Sequence, residues 1–164
     1  MMAQEFDHVF AYGSNMDLEH LAEWCHAHCK AEAEIFAAQV AILPEHKLIW
    51  NYYTKTRKGG AANIVASAGS QLPGLLLKVS KATLGYIDRK EAYPHHYDRA
   101  LQSHIVLADR SQLHAWVYQV VPRHRQATSV WPTRAYLNIL INAAKKHGLP
   151  EWHIAELAAT QTRD

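Results

Sequence analysis

Residues 8–15 read HVFAYGSN, a short apolar run that stops at a Gly-Ser-Asn tripeptide. Apolar residues in such a run favour a β-strand, whereas Gly, Ser and Asn favour turns and tolerate unusual backbone angles. The stretch therefore predicts a strand over His8–Tyr12 that ends in a polar loop. The backbone N–H groups of such a bend can bind a carboxylate or a developing oxyanion, although a plain turn fits the same residues.

Two helices are predicted around positions that matter for chemistry. Asp17 is a suitable N-cap, and the apolar residues after it follow three- and four-residue spacing, which predicts a helix over Leu18–Cys29. Ser80 can cap a second helix, which runs toward Glu91 and ends before Pro94. Glu91 is thus expected at a boundary between helix and loop.

Most other segments are predicted to be strands that follow one another along the chain. Three turn signals separate them: residues 44–46 (PEH), 57–60 (RKGG) and 68–70 (AGS). The predicted strands are Lys47–Tyr53, Ala62–Ala66, Leu75–Val79, Ser103–Leu107 and His114–Val121, and two late helices run from Pro132 to Gly148 and over Glu151–Ala159. Consecutive strands with inserted helices are typical of the α+β class.

Composition and charge restrict the kind of protein. A chain of 164 residues with 49% apolar and 20% charged residues predicts one globular domain over 1–164. A net charge of +2 without a long basic block predicts no nucleic-acid partner. Met1–His8 carries no export signal, no apolar stretch is long enough to span a membrane, and two cysteines are too few for a disulfide framework. A cytoplasmic protein is expected.

Glu91 is the first candidate for chemistry. It lies in residues 88–99 (DRKEAYPHHYDR), where aromatic residues interrupt the charges. A carboxylate enclosed by such side chains can serve as a general acid or base. A solvated carboxylate at a helix end fits the same pattern.

Taken together, these segments resemble the gamma-glutamylcyclotransferase family. That family carries Phe-x-Tyr-Gly-Ser-Asn after its first strand, here residues 10–15, and a catalytic Glu at a helix end followed by a Tyr, here Glu91 and Tyr97. Residues 60–65 (GAANIV) are similar to the family's glycine-alanine strand. Many members place Gly after the catalytic Glu, where this chain has Ala92.

The resemblance implies a fold, a reaction and a set of site residues. The implied fold is a small mixed β-barrel of about five to seven strands with flanking helices. The implied reaction cyclises a gamma-glutamyl compound to 5-oxoproline and releases the attached amine, with Glu91 as general acid and base and without a cofactor or metal. The expected protein is a monomer or homodimer, and its implied substrate-binding residues are Tyr12, Gly13, Ser14, Asn15, Met16, Tyr97 and Tyr118.

Two other readings of the sequence stay open. Cys25 and Cys29 lie on one face of the first predicted helix with His26 and His28 nearby, as in a metal-binding module, but zinc sites usually need a second ligand pair. A protein of the same fold could instead bind a small acidic ligand without catalysis. Arg57 would then attract that ligand, or belong to a solvated loop.

Overall fold

The computed structural model describes residues 5–164, except for the side chain of Ser103; residues 1–4 of the predicted domain lie outside the described residues. The chain forms an α+β fold, as the sequence predicts. Its strands are β1 (Phe6–Ala11), β2 (Ile35–Ile49), β3 (Tyr53–Thr54), β4 (Gly59–Gly60), β5 (Asn63–Ser80), β6 (Tyr97–Leu107) and β7 (Gln112–Val120), and its α-helices are α1 (Leu18–Cys29), α2 (Lys81–Lys90), α3 (Arg134–His147) and α4 (Glu151–Ala158).

Five of these strands close into a barrel in the order β1-β5-β2-β6-β7. All neighbours are antiparallel except β1 and β7, which pair in parallel at Val9 and Trp116 and so complete the ring. The short strands β3 and β4 form a separate hairpin. The predicted barrel of five to seven strands is therefore confirmed.

Local capping explains why the helices begin where the sequence predicts. The Asp17 carboxylate accepts the backbone N–H of His20 at 3.1 Å, and the Ser80 hydroxyl accepts that of Thr83 at 3.0 Å. Helix α1 has the predicted bounds, and α3 ends at Gly148, whose φ of 74° suits a glycine C-cap. Within the described residues, no helix combines the length and the apolar character needed to cross a membrane.

Two predicted turns are wrong, because they lie within long strands. Residues 44–46 belong to β2 and residues 68–70 to β5, which pair with each other on both sides of a register shift. Glu45 and Gly69 adopt positive φ angles of 61° and 81°, and the Glu45 carboxylate accepts the backbone N–H of Gly69 at 2.7 Å. A bulge of this kind absorbs turn-forming residues while the strands bend and continue around the barrel.

The predicted strands are accordingly too short. Leu75–Val79 and all of Ala62–Ala66 except Ala62 lie in β5, and Lys47–Tyr53 contains the end of β2 and the first residue of β3. Strand β6 begins at Tyr97 instead of Ser103. Residues 55–58, by contrast, form the turn of the β3–β4 hairpin.

Gly74 is expected to be essential for closing the barrel beside β1. A Cβ atom at this position would collide with the backbone oxygen of Ala11 and lie 2.6 Å from the ring of Phe10. We expect Gly74→Ala to lower the free energy of unfolding by about 2–3 kcal/mol and the melting temperature by about 5–10 °C. The matched control is Gly85→Ala in α2, where a Cβ meets nothing within 4 Å. That variant should be as stable as wild type or up to about 1 kcal/mol more stable. Thermal unfolding of both variants tests this, and equal melting temperatures would contradict the prediction.

Burial of His153 in α4 should make stability depend on pH. The ring is 3% exposed, its Nε2 has no hydrogen-bond partner among the described residues, and burial lowers the pKa of His153 to about 4. Below the ordinary histidine pKa of about 6.5 the unfolded chain binds a proton that the folded chain does not, so stability falls as pH drops from 6.5 toward 4. We expect a loss of about 1–2 kcal/mol between pH 7 and pH 5 from this residue. Urea unfolding of His153→Leu should show a smaller pH dependence, and an unchanged dependence would contradict the assignment.

Candidate active site

A cavity of about 830 Å³ opens beside the barrel where β1 ends. Its wall combines the loop after β1, the end of α2, the β3–β4 hairpin and the first turn of α3. Residues that line it include Tyr12, Gly13, Ser14, Asn15, Glu91, Tyr97 and Tyr118, which are all of the predicted site residues except Met16.

The loop after β1 is a tight 3-10 turn over Ser14–Met16. The backbone N–H of Met16 donates to the Gly13 oxygen at 3.1 Å, and that of Asp17 donates to the Ser14 oxygen at 3.0 Å. Met16 is fully buried and is not among the residues that line the cavity. Its amide closes the turn and its side chain packs in the core, so the structure does not bring Met16 into the cavity with the other predicted site residues.

Glu91 is the C-cap residue of α2 and directly follows the last helical residue, Lys90. Its backbone N–H donates to the Ile87 oxygen at 2.9 Å, which fixes the residue at the C-terminal end of the helix. Its Oε1 accepts a hydrogen bond from the side-chain Nδ2 of Asn15 at 2.7 Å. The two sequence segments singled out above thus meet in one cavity, 76 residues apart in the chain.

Lys90, which the sequence analysis did not single out, lies on the other side of Asn15. Its Nζ donates to Asn15 Oδ1 at 2.8 Å and to the Ser14 hydroxyl at 3.2 Å. Burial lowers the pKa of Lys90 from its ordinary value, and the Glu91 carboxylate opposes that shift. Because Lys90 takes the oxygen of the Asn15 amide, the NH₂ group of that amide is directed to Glu91.

Three of the predicted tyrosines have their hydroxyl groups bonded within the protein. Tyr12 donates to the backbone oxygen of Tyr118 at 2.6 Å, Tyr97 donates to that of Ala62 at 2.8 Å, and Tyr118 donates to Asp88 Oδ1 at 2.5 Å. Burial raises the pKa of each of the three phenols well above its ordinary value. They are therefore neutral walls of the cavity that hold its shape.

Tyr136 in α3 is a further cavity residue that the sequence analysis did not single out. Its hydroxyl oxygen accepts the backbone N–H of Ala62 at 3.1 Å, and its ring packs edge-on against Trp50. Burial raises the pKa of Tyr136 to about 12, so the phenol keeps its proton. A tyrosine in an otherwise apolar stripe is the signal that could have identified it, because a buried phenol needs a polar partner.

The outer part of the cavity is basic and aromatic. Arg57, in the β3–β4 turn, donates to His20 Nε2 at 3.1 Å and lies 5.2 Å from the centre of the Tyr136 ring. The rings of His96 and His124 stack in parallel at 4.3 Å. The mouth of the cavity therefore carries positive or protonatable groups around the single carboxylate of Glu91 among its lining residues.

The Cys/His stretch lies mostly apart from this chemistry. Cys25 is buried, Cys29 is partly buried, and both are free thiols. His28 stacks on Trp24 at 4.6 Å. Among residues 5–164, no group of three or more His, Cys, Asp or Glu side chains is arranged to hold a metal ion.

Comparison with known proteins identifies sequences similar to this chain. Residues 9–137 match the sequence profile of a family described as gamma-glutamyl cyclotransferase, AIG2-like. A gamma-glutamylcyclotransferase of Bos taurus is 26% identical over 159 residues, which cover 94% of this chain and 79% of the bovine protein. All cavity residues named above lie within the matched stretch.

Several solved structures share the fold of this chain. A gamma-glutamyl cyclotransferase superposes with a TM-score of 0.80 at 26% identity, covering 98% of this chain and 90% of the other. A Homo sapiens protein gives a TM-score of 0.79 at 26% identity, covering 98% and 91%. A yeast gamma-glutamyl cyclotransferase specific to glutathione is only 12% identical, with a TM-score of 0.59 over 94% of each chain, and shares the fold.

Proposed function

Because this chain belongs to the gamma-glutamyl cyclotransferase, AIG2-like family, we propose that it cyclises the gamma-glutamyl group of a small molecule to 5-oxoproline and releases the attached amine. The observation that carries this proposal is the 2.7 Å hydrogen bond between Asn15 and Glu91 inside a cavity large enough for such a substrate. Free thiols at Cys25 and Cys29 fit a reducing compartment such as the cytoplasm.

The substrate supplies its own nucleophile in this reaction. The α-amine of the gamma-glutamyl group reaches the γ-carbonyl carbon and closes a five-membered lactam. Well-oriented intramolecular reactions reach effective molarities of about 10⁵–10⁸ M, so the protein has to hold the substrate in the reactive conformation. A nucleophilic side chain is not needed.

Glu91 acts as the general base and acid of the reaction. An α-ammonium group, whose reference pKa is about 7.7–8.0, must lose a proton before its nitrogen can attack. Glu91 accepts this proton, and the freed amine attacks the γ-carbonyl carbon. Glu91 then donates the proton to the leaving nitrogen as the old C–N bond breaks and takes the second proton from the new ring nitrogen, which yields 5-oxoproline and the free amine.

Tyr136 is placed to stabilise the intermediate. Its oxygen accepts the Ala62 N–H, so its own O–H proton is left to donate toward the cavity. A neutral donor at this point would stabilise the oxyanion that forms on the γ-carbonyl. Tyr12, Tyr97 and Tyr118, whose hydroxyl protons are already used, would enclose the substrate.

An assay of 5-oxoproline against a panel of compounds tests the proposal. The panel contains gamma-glutamyl amino acids, gamma-glutamyl amines and glutathione. We expect at least one class to yield 5-oxoproline and free amine in equal amounts. Tight binding of these compounds without turnover would contradict the proposal and favour a non-catalytic binding protein of the same fold.

A further inference from the structure

We propose that the ammonium group of Lys90 binds the α-carboxylate of the gamma-glutamyl group, so that Lys90 and Glu91 recognise the two charges of the substrate's amino-acid end. This inference rests on the function proposed above and extends it to the way in which the substrate is selected. It gives a role to a side chain that lines the cavity and that the reaction itself does not use.

The side chain of Asn15 holds the two charges at a suitable separation. Lys90 Nζ contacts its Oδ1 at 2.8 Å, and Glu91 Oε1 contacts its Nδ2 at 2.7 Å. These two Asn15 atoms are bonded to the same carbon. The ammonium and carboxylate groups of an α-amino acid are likewise attached to one carbon, so each can face one of the two protein charges that Asn15 bridges.

Lys90 has capacity left for a ligand. An ammonium group has three N–H donors, and within the described residues two of them are used, by the neutral oxygens of Ser14 and Asn15. Among residues 5–164, no ion pair joins Lys90 to a carboxylate. A partly buried cation without a bonded anion is costly, and a ligand carboxylate would supply the missing partner.

The surroundings of Lys90 also favour an anion. Burial lowers the pKa of His20, and the charges of Lys90 and Arg57 lower it further. All three side chains line the same cavity. The backbone N–H groups of Met16 and Asp17 cannot replace them, since both are used inside the turn. Lys90 and Arg57 are thus side-chain cations that line this cavity and can attract a carboxylate.

The α-carboxylate fits this position better than a carboxylate on the leaving group. In the proposed reaction Glu91 contacts the α-amine. The α-carboxylate is attached to the carbon that carries this amine. It therefore lies next to Lys90, which contacts the other end of the Asn15 amide. A leaving group need not carry a carboxylate, whereas every gamma-glutamyl group carries the α-carboxylate.

Three matched substrates test this assignment. Gamma-glutamyl-alanine carries both carboxylates. 4-Aminobutanoyl-alanine lacks only the α-carboxylate and cyclises to 2-pyrrolidinone, and gamma-glutamyl-ethylamide lacks only the carboxylate of the leaving group. The value of kcat/KM for each is measured with the wild-type protein and Lys90→Met. The control is Lys81→Met, which removes an exposed lysine from the other end of the same helix.

We expect Lys90→Met to lower kcat/KM about 10- to 100-fold for both gamma-glutamyl substrates, mainly through KM, because a charged hydrogen bond is lost. The value for 4-aminobutanoyl-alanine should change less than about threefold, and Lys81→Met should change none of them. Lys90→Gln, which keeps a hydrogen-bond donor without the charge, should resemble Lys90→Met and guards against a folding defect in that variant.

Two results would overturn the assignment. An equal loss for all three substrates would mean that Lys90 only positions Asn15 and Glu91. A loss for gamma-glutamyl-alanine that spares gamma-glutamyl-ethylamide would mean that Lys90 binds the leaving group. If the wild-type protein turns over neither gamma-glutamyl substrate, the proposed function fails. Calorimetric titration of the same three compounds into wild type and Lys90→Met then tests the role of Lys90, because affinity should fall only for the two compounds that carry the α-carboxylate.

Discussion

Replacement of Glu91 by Gln should lower kcat for 5-oxoproline release by about 10³-fold. The amide has the size of the carboxylate and keeps an oxygen for the 2.7 Å hydrogen bond from Asn15. It cannot accept the proton of the attacking amine, and so it cannot return one to the leaving nitrogen. The reaction should therefore lose its proton transfer while the substrate still binds.

The matched control for this variant is Glu151→Gln, which makes the same change at an exposed position in the first turn of α4. Both variants should unfold at nearly the wild-type temperature. Steady-state release of 5-oxoproline should fall only in Glu91→Gln. Turnover within threefold of wild type in that variant would show that Glu91 does not transfer the proton.

Replacement of Tyr136 by Phe should lower kcat by about 10²-fold with little change in KM. The phenylalanine ring can keep the edge-on contact with Trp50, but it has no O–H to donate to the oxyanion. Loss of the hydroxyl also leaves the backbone N–H of Ala62 without its partner, which should cost about 1–3 kcal/mol of stability. Activity is therefore compared at a temperature at which both proteins remain folded.

Tyr86→Phe in α2 is the control for Tyr136→Phe, because Tyr86 does not line the cavity. It should leave kcat and KM unchanged. A change of less than threefold in kcat for Tyr136→Phe would remove Tyr136 from the mechanism and leave oxyanion stabilisation to backbone N–H groups.

The sequence predicted features whose cause is local. The start of α1 depends on the side chain of Asp17 and a backbone N–H three residues later, and both are visible in the printed residues. The turns predicted at 44–46 and 68–70 are wrong because local propensity cannot show that another strand pairs with both sides of the break. Only the barrel determines that Glu45 and Gly69 form a bulge instead of ending two strands.

The same distinction applies to the site. The loop at 12–15 and Glu91 were predicted because each belongs to a continuous, recognisable segment. Tyr136 was missed because it reaches the cavity only when α3 packs against the turn at Ser14–Met16, and Lys90 because its side chain could equally face solvent at the end of α2. Met16 does not line the cavity because its amide closes the 3-10 turn, a contact that the sequence does not show.

The central claim is that the substrate's own amine attacks the γ-carbonyl, and isotope analysis in H₂¹⁸O tests it most directly. Gamma-glutamyl-alanine is incubated with the protein in labelled water, and all products are quantified by mass spectrometry. Cyclisation predicts unlabelled 5-oxoproline and alanine in a 1:1 ratio. Release of alanine with ¹⁸O-labelled glutamate would show that water is the nucleophile and would contradict the account.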